Sequence, residues 1–279
     1  MDTNPLLAIR VVSLCINLPG PVAAARLAKL GATVSKVEPP GGDPLALAAP
    51  DLYADLCAGQ EVRSLDLKAP DDRSALDELL AAADLLLTSS RPAALDRLGL
   101  AWDVLHARFP SLCHVAIVGY PPPEENRPGH DLTYAAEVGL VHPPHLPPSL
   151  VVDLAGAEQA VSASLGLLLA RERGSPAGHT WVALSAAAAH FALPLRHGLT
   201  TPGGLLGGGL PGYNLYRTAD GWVALAALEP HFWQDLLRHL GRENATTAEL
   251  STIFRAKNSA HWQEWAEKRD VPLIRVADR

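Results

Sequence analysis

Short runs of β-branched and leucine residues alternate with alanine- and leucine-rich segments along the first half of the chain. The apolar runs predict strands at residues 9–14, 33–38, 85–88 and 114–119. Strands that alternate with helices need crossover connections, and these favour a parallel sheet with helices on both faces. The pattern therefore predicts an α/β fold, a Rossmann-like doubly wound parallel sheet, over residues 1 to about 185.

Proline and glycine mark where the helices of this layer begin and end. The sequence LPGP at residues 18–21 opens a helix that we expect to end near Leu30, because Gly31 follows. Four prolines within residues 143–149 predict an extended connector. The apolar segment after it, residues 154–171, predicts a long helix.

The pattern changes past about residue 195. A glycine-rich loop occupies residues 201–212, and five of the six tryptophans lie at or beyond Trp181. Strands predicted at 213–218 and 222–227 are joined by Ala-Asp-Gly, which is typical of a hairpin turn. We therefore predict a large domain over residues 1–195 and a smaller α+β domain over residues 196–279.

Composition narrows the classes of function. With 48% apolar and 19% charged residues the chain is typical of a globular protein, and with a net charge of -7 and no basic run we expect no nucleic-acid partner. Cys15, Cys57 and Cys113 lack the spacing of a disulfide framework or a metal site, and we expect all three to be buried. No apolar stretch approaches the ~20 residues of a spanning helix and no leader pattern is present, which predicts a cytoplasmic protein without membrane contact.

Several acidic residues and one histidine are candidates for chemistry. His130 and Asp131 follow a strand and a proline-rich loop, where a doubly wound fold places functional groups, although Asp131 could equally cap the helix through Tyr134. Asp153 follows two valines at a strand-to-helix junction and could likewise be a simple helix cap. Glu229 precedes a proline at a helix start, where a solvated acid is the ordinary alternative.

Common cofactor and hydrolase motifs are missing. The glycine-rich loop lacks the Lys-Ser/Thr of a phosphate-binding P-loop, no GxGxxG lies between a predicted strand and a predicted helix, and neither HExxH nor GxSxG occurs. Nucleotide hydrolysis, NAD chemistry and a metal site are therefore disfavoured, and the residues alone predict an α/β enzyme without specifying its reaction.

A constellation of motifs in order along the chain resembles the family III CoA-transferases and α-methylacyl-CoA racemases, the CaiB/BaiF type. The motifs are LPGP (18–21), LAKLGA (27–32), KVEPPGGD (36–43), LDLK (65–68), Arg91-Pro92, LDRLGL (95–100), GHDLTY (129–134), Asp153 and YNLYRTADG (213–221). The resemblance implies a Rossmann-like CoA domain, a second, smaller domain and an interlocked homodimer. It also implies an acyl-CoA substrate, with coenzyme A arriving as part of the substrate and no tightly bound cofactor. The C-terminal segment with which the family returns to the large domain is expected to be missing.

The resemblance also suggests roles for individual residues. In the racemase branch, which the sequence GHD and Glu229-Pro230 favour, His130 and Asp153 would exchange the proton α to the thioester, and Glu229 would orient the histidine. Backbone amides near Asp153 would hold the enolate oxygen. The CoA contacts implied are Arg91, Arg97, Gly129, Asp131 and Tyr134.

Two alternatives remain open at this point. In the transferase branch Asp153 would be a nucleophile that forms an aspartyl intermediate, and the glycine loop at residues 207–212 resembles that of formyl-CoA-type transferases. The other alternative is a non-catalytic CoA-binding protein.

Overall fold

The computed structural model describes residues 4–277, which form two compact units that divide after Ala192. The first unit has six strands: β1 (Arg10–Leu14), β2 (Thr33–Glu38), β3 (Glu61–Ser64), β4 (Leu85–Thr88), β5 (Cys113–Val118) and β6 (His179–Ala183). Its helices are α1 (Pro19–Lys29), α2 (Pro44–Ala48), α3 (Pro50–Cys57), α4 (Pro70–Ala81), α5 (Pro92–Arg97), α6 (Trp102–Arg108), α7 (Asp131–Glu137), α8 (Val151–Glu172) and α9 (Leu184–Phe191).

The six strands form one parallel sheet in the order β3-β2-β1-β4-β5-β6. The order reverses between β1 and β4, where Val12 pairs with Ser35 on one side and with Leu86 on the other. Apolar clusters cover both faces of the sheet, one around Leu85 and Val115 and the other around Leu86 and Leu76. The predicted doubly wound α/β fold is confirmed.

Helix α8 differs from its prediction at its start. It begins at Val151, so the two valines before Asp153 are helical, and Asp153 lies in the first turn without being the cap. The expectation that no segment is long enough to span a membrane is wrong by length and composition alone, because α8 has 22 residues and is apolar enough to cross one. The helix packs against α1, α9, β5 and β6, and its buried residues belong to the core of the first unit.

An ion pair attaches the C-terminal end of α8 to the sheet. Arg171 contacts Asp84, with 2.8 Å between Nη2 and Oδ1, and donates a second hydrogen bond of 2.9 Å to the carbonyl of Ser111. Asp84 in turn accepts a hydrogen bond from the backbone N–H of Arg10 at the start of β1. One arginine therefore links the last turn of the helix to the amino end of the sheet.

The second unit is a small antiparallel sheet with helices. Its elements are α10 (Leu193–Arg196), β7 (Tyr213–Arg217), β8 (Trp222–Ala226), α11 (Pro230–His239), α12 (Thr247–Phe254), α13 (Ser259–Glu267) and β9 (Leu273–Arg275). The strand order β7-β8-β9 contains the predicted hairpin, to which β9 adds a third strand. In its core the ring of Phe254 packs tilted against Tyr216 and edge-on against Trp262. The predicted small α+β unit is confirmed.

The cysteines fit their prediction only in part. Cys15 and Cys113 are buried, whereas Cys57 at the end of α3 is only half-buried. Burial raises the pKa of the Cys15 thiol to about 11, so this group stays protonated at neutral pH.

Candidate functional site

A cavity of about 260 Å³ opens at the point where the strand order reverses. We call it the site cavity. In doubly wound folds the loops at the carboxyl ends of the strands diverge at this point and leave room for a ligand. The residues that line it follow β1, β4 and β5 or come from the starts of α7, α8 and α9: Ile16, Asn17, Pro19, Ser89, Ser90, Arg91, Ile117, Val118, Gly119, Glu125, Arg127, Gly129, His130, Tyr134, Asp153 and Leu184.

Asp153 and His130 both line this cavity, although 22 residues separate them in sequence. Asp153 is half-buried in the first turn of α8, and burial, followed by the negative charge of Asp131, raises its pKa from 3.8 to about 6. His130 precedes the first residue of α7, and its side chain is exposed. A general base works best when its pKa lies near the working pH, and Asp153 meets that condition.

Asp131 is buried and joins the two helices that carry His130 and Asp153. Its Oδ1 accepts hydrogen bonds from the backbone N–H of Val152 at 2.7 Å and of Asp153 at 2.9 Å. It therefore caps α8, not its own helix as the sequence suggested, and it does not line the cavity. The expectation that amides near Asp153 hold an enolate oxygen is wrong for these two, because Asp131 already satisfies them.

Tyr134 brings a phenol to the cavity wall. Its ring is buried beside Gly119 and Gly129, and a Cβ at either glycine would collide with it. Burial, together with the charges of Tyr120 and Asp153, raises the pKa of Tyr134 to about 12. The hydroxyl therefore remains a hydrogen-bond donor at neutral pH.

The two arginines at the cavity differ in their partners. Arg127 donates to Glu137 at 2.8 Å and lies over the ring of Tyr120 at 4.0 Å, so it braces the loop between β5 and α7. Arg91 is exposed and makes no ion pair with any residue of the described chain. Arg91 is therefore a cation available to a ligand.

A second cavity, of about 290 Å³, shares Ile16 and Ser90 with the first. We call it the adjacent cavity. Apolar residues near the carboxyl ends of β1 to β4 dominate its wall, and its charged residues are Lys68, Glu38 and Asp66. Arg97, which was expected to contact CoA, lines neither cavity and is exposed on α5.

A buried charged cluster supports one wall of the site cavity. Lys36 has a fully buried side chain whose Nζ lies 2.5 Å from Glu38 and 2.7 Å from Asp43. Burial by itself lowers the pKa of Lys36, but hydrogen bonds to Asp43 and Glu38 outweigh burial and raise it. Asp43 also accepts a hydrogen bond of 2.9 Å from the backbone N–H of Asn17, which has a left-handed φ of 68° and lines the cavity.

Sequence reasoning missed several of these residues. Asn17, Ser89 and Ser90 follow β1 and β4 directly, and the rule that ligands bind beyond the carboxyl ends of strands could have identified them. Glu229 lies in the second unit, exposed, just before α11. Its predicted role beside His130 stays a prediction, as do the CoA contacts assigned to Arg91, Arg97, Gly129, Asp131 and Tyr134.

Removing the carboxylate of Asp131 should destabilise the protein. We expect Asp131→Ala to lower the free energy of unfolding by about 2–3 kcal/mol, because two buried N–H groups at a helix start lose a charged acceptor. Asp131→Asn keeps an acceptor oxygen and should lose about half as much. Urea-induced unfolding measures both variants, and equal stability of Asp131→Ala and the parent would contradict this role.

The raised pKa of Asp153 implies a pH-dependent cost in stability. Between pH 3.8 and about 6 the folded state keeps a proton that the unfolded state has released, so the parent protein loses stability as the pH rises through this window. Asp153→Asn cannot ionise and should be more stable than the parent by about 1–2 kcal/mol at pH 8. The difference should vanish below about pH 4 in thermal unfolding. A constant difference across this range would contradict the shift.

Comparison with known proteins places this geometry in a family. The family model for CoA-transferase family III matches residues 6–279. A probable fatty acyl-CoA transferase of Mycobacterium tuberculosis is 28% identical over 99% of this chain and 86% of its own length. Human α-methylacyl-CoA racemase is 30% identical over 97% of this chain and 77% of its own length.

Solved structures agree with this assignment. The crystal structure of a hypothetical protein from Mycobacterium tuberculosis has a TM-score of 0.84 and 28% identity, over 98% of this chain and 84% of that one. A CaiB/BaiF family protein from Brucella suis has the same fold, with a TM-score of 0.82 at 22% identity over 100% of this chain and 85% of that one. Because the family model matches nearly the whole length of this chain, the chain belongs to CoA-transferase family III.

Proposed function

We propose that this protein is an acyl-CoA racemase or epimerase that exchanges the proton on the carbon α to a CoA thioester. The observation that carries the proposal is the presence of His130 and Asp153 in one cavity, with the pKa of Asp153 raised to about 6. Racemisation needs two acid/base groups on opposite faces of the α-carbon. An imidazole and a carboxyl group whose pKa is raised to about 6 can alternate as base and acid.

The reaction takes place in two proton transfers. One of the two groups removes the α-proton, and the electron pair of the C–H bond moves into the thioester to form an enolate. The other group then returns a proton to the opposite face, which restores the thioester with inverted configuration. The second proton transfer leaves each group in the protonation state opposite to the one in which it began.

The enolate oxygen needs a hydrogen-bond donor in this cavity. The Tyr134 hydroxyl fits that need, because Tyr134 lines the cavity and its pKa of about 12 keeps the hydroxyl protonated at neutral pH. The amides of Val152 and Asp153 are already bonded to Asp131 and are not assigned this task. The proposal therefore gives Tyr134 a role in the reaction besides the contact with CoA that the family resemblance implies.

The two cavities suggest how the CoA part of the substrate is held. The adjacent cavity offers apolar walls and Lys68, which suit a flat adenosine group and its phosphates, and it meets the site cavity at Ile16 and Ser90. Arg91 provides a further cation at the site cavity. Coenzyme A enters as part of the substrate and not as a tightly bound cofactor.

The second candidate is a family III CoA-transferase with Asp153 as nucleophile. Relatives with transferase names support it, among them a succinyl-CoA–D-citramalate CoA-transferase of Chloroflexus aurantiacus that is 28% identical over 96% of this chain and 72% of its own length. In this reaction the carboxylate of Asp153 would attack the thioester to form a mixed anhydride and release CoA thiolate, which would attack the aspartyl carbonyl, expel the donor acid as a carboxylate and leave an aspartyl-CoA thioester. The acceptor carboxylate would attack this thioester to form a second anhydride and release the thiolate again. Attack of the thiolate on the acceptor carbonyl would then form the new acyl-CoA and free Asp153. As part of either proposal we expect an interlocked homodimer in the cytoplasm.

Deuterium exchange distinguishes the two reactions. A 2-methylacyl-CoA incubated with the protein in deuterated water should gain one deuteron at the α-carbon and lose its optical purity. His130→Ala should abolish the loss of optical purity, because inversion needs a group on each face, whereas the matched control His145→Ala, an exposed loop histidine, should leave both effects unchanged. Mass spectrometry and chiral analysis of the acid measure the two effects.

The opposite results are equally informative. Absence of deuteron uptake, together with CoA transfer to a free acid and a hydroxylamine-trapped adduct on Asp153, would replace the racemase by the transferase. Binding of CoA without either activity would contradict both catalytic proposals and favour a non-catalytic CoA-binding protein.

A further inference from the structure

A concave surface of about 430 Å³ lies at the turn between β7 and β8 in the second unit. We call it the hairpin cavity. Its lining consists of Arg217, Thr218, Ala219 and Arg255, so two arginines and no acidic side chain are among the described residues that line it. This positive charge contrasts with the net charge of -7 on the whole chain. Neither the predicted site residues nor the proposed reaction uses the hairpin cavity.

The two arginines come from elements that are distant in sequence but packed together. Arg217 is the last residue of β7, an edge strand of the small sheet, and Arg255 directly follows the last residue of α12. Because α12 packs against β7, both residues border the same cavity. Both are also exposed, so a ligand can reach them from solvent.

Hydrogen bonds fix the backbone around the hairpin cavity. The N–H of Ala219 donates to the carbonyl of Lys257 at 2.9 Å, and the N–H of Ser259 donates to Oδ1 of Asp220 at 2.7 Å. Both bonds join the turn between β7 and β8 to the connection between α12 and α13. The segments that carry the two arginines are therefore held together before a ligand arrives, which reduces the ordering that binding requires.

The protein does not neutralise these two cations. Within residues 4–277, neither Arg217 nor Arg255 forms an ion pair with a carboxylate. Asp220 follows closely in sequence but does not line the cavity, and its Oδ1 accepts hydrogen bonds from the backbone of Ser259 and from the Thr218 hydroxyl. The bond from Ser259 is the main cause that lowers the pKa of Asp220. This carboxylate is therefore engaged by donors other than the two arginines.

A phosphate group suits this arrangement. A guanidinium group donates two parallel hydrogen bonds to phosphate oxygens, and two such groups can share the three terminal oxygens of a phosphate monoester. A phosphate monoester carries about -1.5 to -2 charges at neutral pH, whereas a carboxylate carries one. Two cations that border one cavity without an anion repel each other, and a dianion between them removes that repulsion.

The hairpin cavity lies at the opposite end of the strands from Glu229. In the register of β7 and β8, Arg217 pairs with Trp222, and Tyr213 pairs with Ala226. Four residue steps along a strand amount to about 13 Å. Because Glu229 follows the strand end at Ala226, a ligand in the hairpin cavity would leave the position of Glu229 free.

We propose that the hairpin cavity binds the phosphate group of a small-molecule phosphate monoester. Arg217 and Arg255 hold the phosphate oxygens, and the rest of the ligand extends into the open part of the cavity. The site goes beyond the proposed function, because it does not depend on which reaction the protein catalyses.

The probe for this site is phenyl phosphate, titrated into the isotope-labelled full chain and followed by two-dimensional NMR. The buffer contains about 0.1 M sodium chloride, which screens non-specific attraction. We expect saturable shifts of the amide signals of Ala219 and Gly221, with a dissociation constant below about 5 mM. Phenyl sulfate has a similar shape but a single negative charge, and it should bind at least about fivefold more weakly. Comparable binding of the two compounds, or no saturable binding of phenyl phosphate, would overturn the proposal.

Matched variants localise the binding. Arg217→Gln and Arg255→Gln each remove one cation from an exposed position, so both proteins should fold, and each should bind phenyl phosphate at least about fivefold more weakly. Arg275→Gln removes the same charge from β9, at the other edge of the small sheet, and should change the affinity less than about twofold. Unchanged affinity in Arg217→Gln or Arg255→Gln, or an equal loss in Arg275→Gln, would overturn the proposal.

Discussion

Asp153→Asn is expected to lower the turnover of acyl-CoA substrates at least about 1000-fold, with little change in the concentration of substrate needed for half-maximal rate. Both reactions considered for this site depend on the carboxyl group, either as acid and base or as nucleophile. An amide has the same shape but can neither accept the α-proton nor form an aspartyl anhydride. The loss should therefore fall on the chemical step.

The matched control is Glu158→Gln on the same helix. Glu158 forms a surface ion pair with Arg26 at 3.0 Å, with both side chains about half exposed, and its neutralisation should leave turnover within a factor of two of the parent. Because Asp153→Asn is expected to be at least as stable as the parent at neutral pH, unfolding cannot account for the loss. Turnover of Asp153→Asn within tenfold of the parent would remove Asp153 from the mechanism.

Lys36→Ala should be the most destabilising of the substitutions proposed, with a loss of about 3–5 kcal/mol in the free energy of unfolding. The change leaves Glu38 and Asp43 in the protein interior, where both are buried, without the cation that lies 2.5 Å and 2.7 Å from them. An uncompensated buried charge costs more than the original pair contributed. It should also disturb Asn17, whose backbone N–H Asp43 holds.

A combined variant separates lost charge balance from lost packing. K36M/E38Q/D43N fills the space of the lysine and neutralises both acids, so it should recover most of the stability lost in Lys36→Ala. Lys29→Ala on the exposed face of α1 serves as the surface control and should cost less than about 1 kcal/mol. Urea unfolding of the four proteins provides the comparison, and a Lys36→Ala protein as stable as Lys29→Ala would show that the cluster is unimportant.

The alternation of apolar runs was sufficient to predict the fold, although it missed two strands of the parallel sheet and the three-residue strand β9 of the small sheet. β3 was not predicted because all four of its residues are exposed at the edge of the sheet, where nothing imposes an apolar pattern. β6 was not predicted because it begins with His179 and Thr180, whose polar side chains interrupt the apolar run typical of a buried strand. Edge strands lack one pairing neighbour, so their sequences are less constrained than those of central strands.

Site residues could be predicted where a local sequence motif identifies them. They could not be predicted where their role depends on contacts with residues far away in the sequence. His130 and Asp153 were identified through their motifs, and the structure places both at one cavity. Asp131 accepts hydrogen bonds from two residues at the start of α8 that lie 21 and 22 positions away in the sequence. No local sequence pattern predicts these bonds. Lys36 and Asp43 lie in one sequence motif, but the hydrogen bond between Asp43 and Asn17 depends on tertiary packing.

Helix α8 is held at both ends, by Asp131 at its first turn and by Arg171 at its last. Fraying usually begins at helix termini, and here each terminus is tied to a neighbouring element, so amide protons along this helix should exchange with solvent almost only through global opening. We therefore expect the carboxyl group of Asp153 to be carried by one of the slowest-exchanging parts of the molecule. Of the two acid/base candidates at the site cavity, we expect the exposed side chain of His130 to be the more mobile.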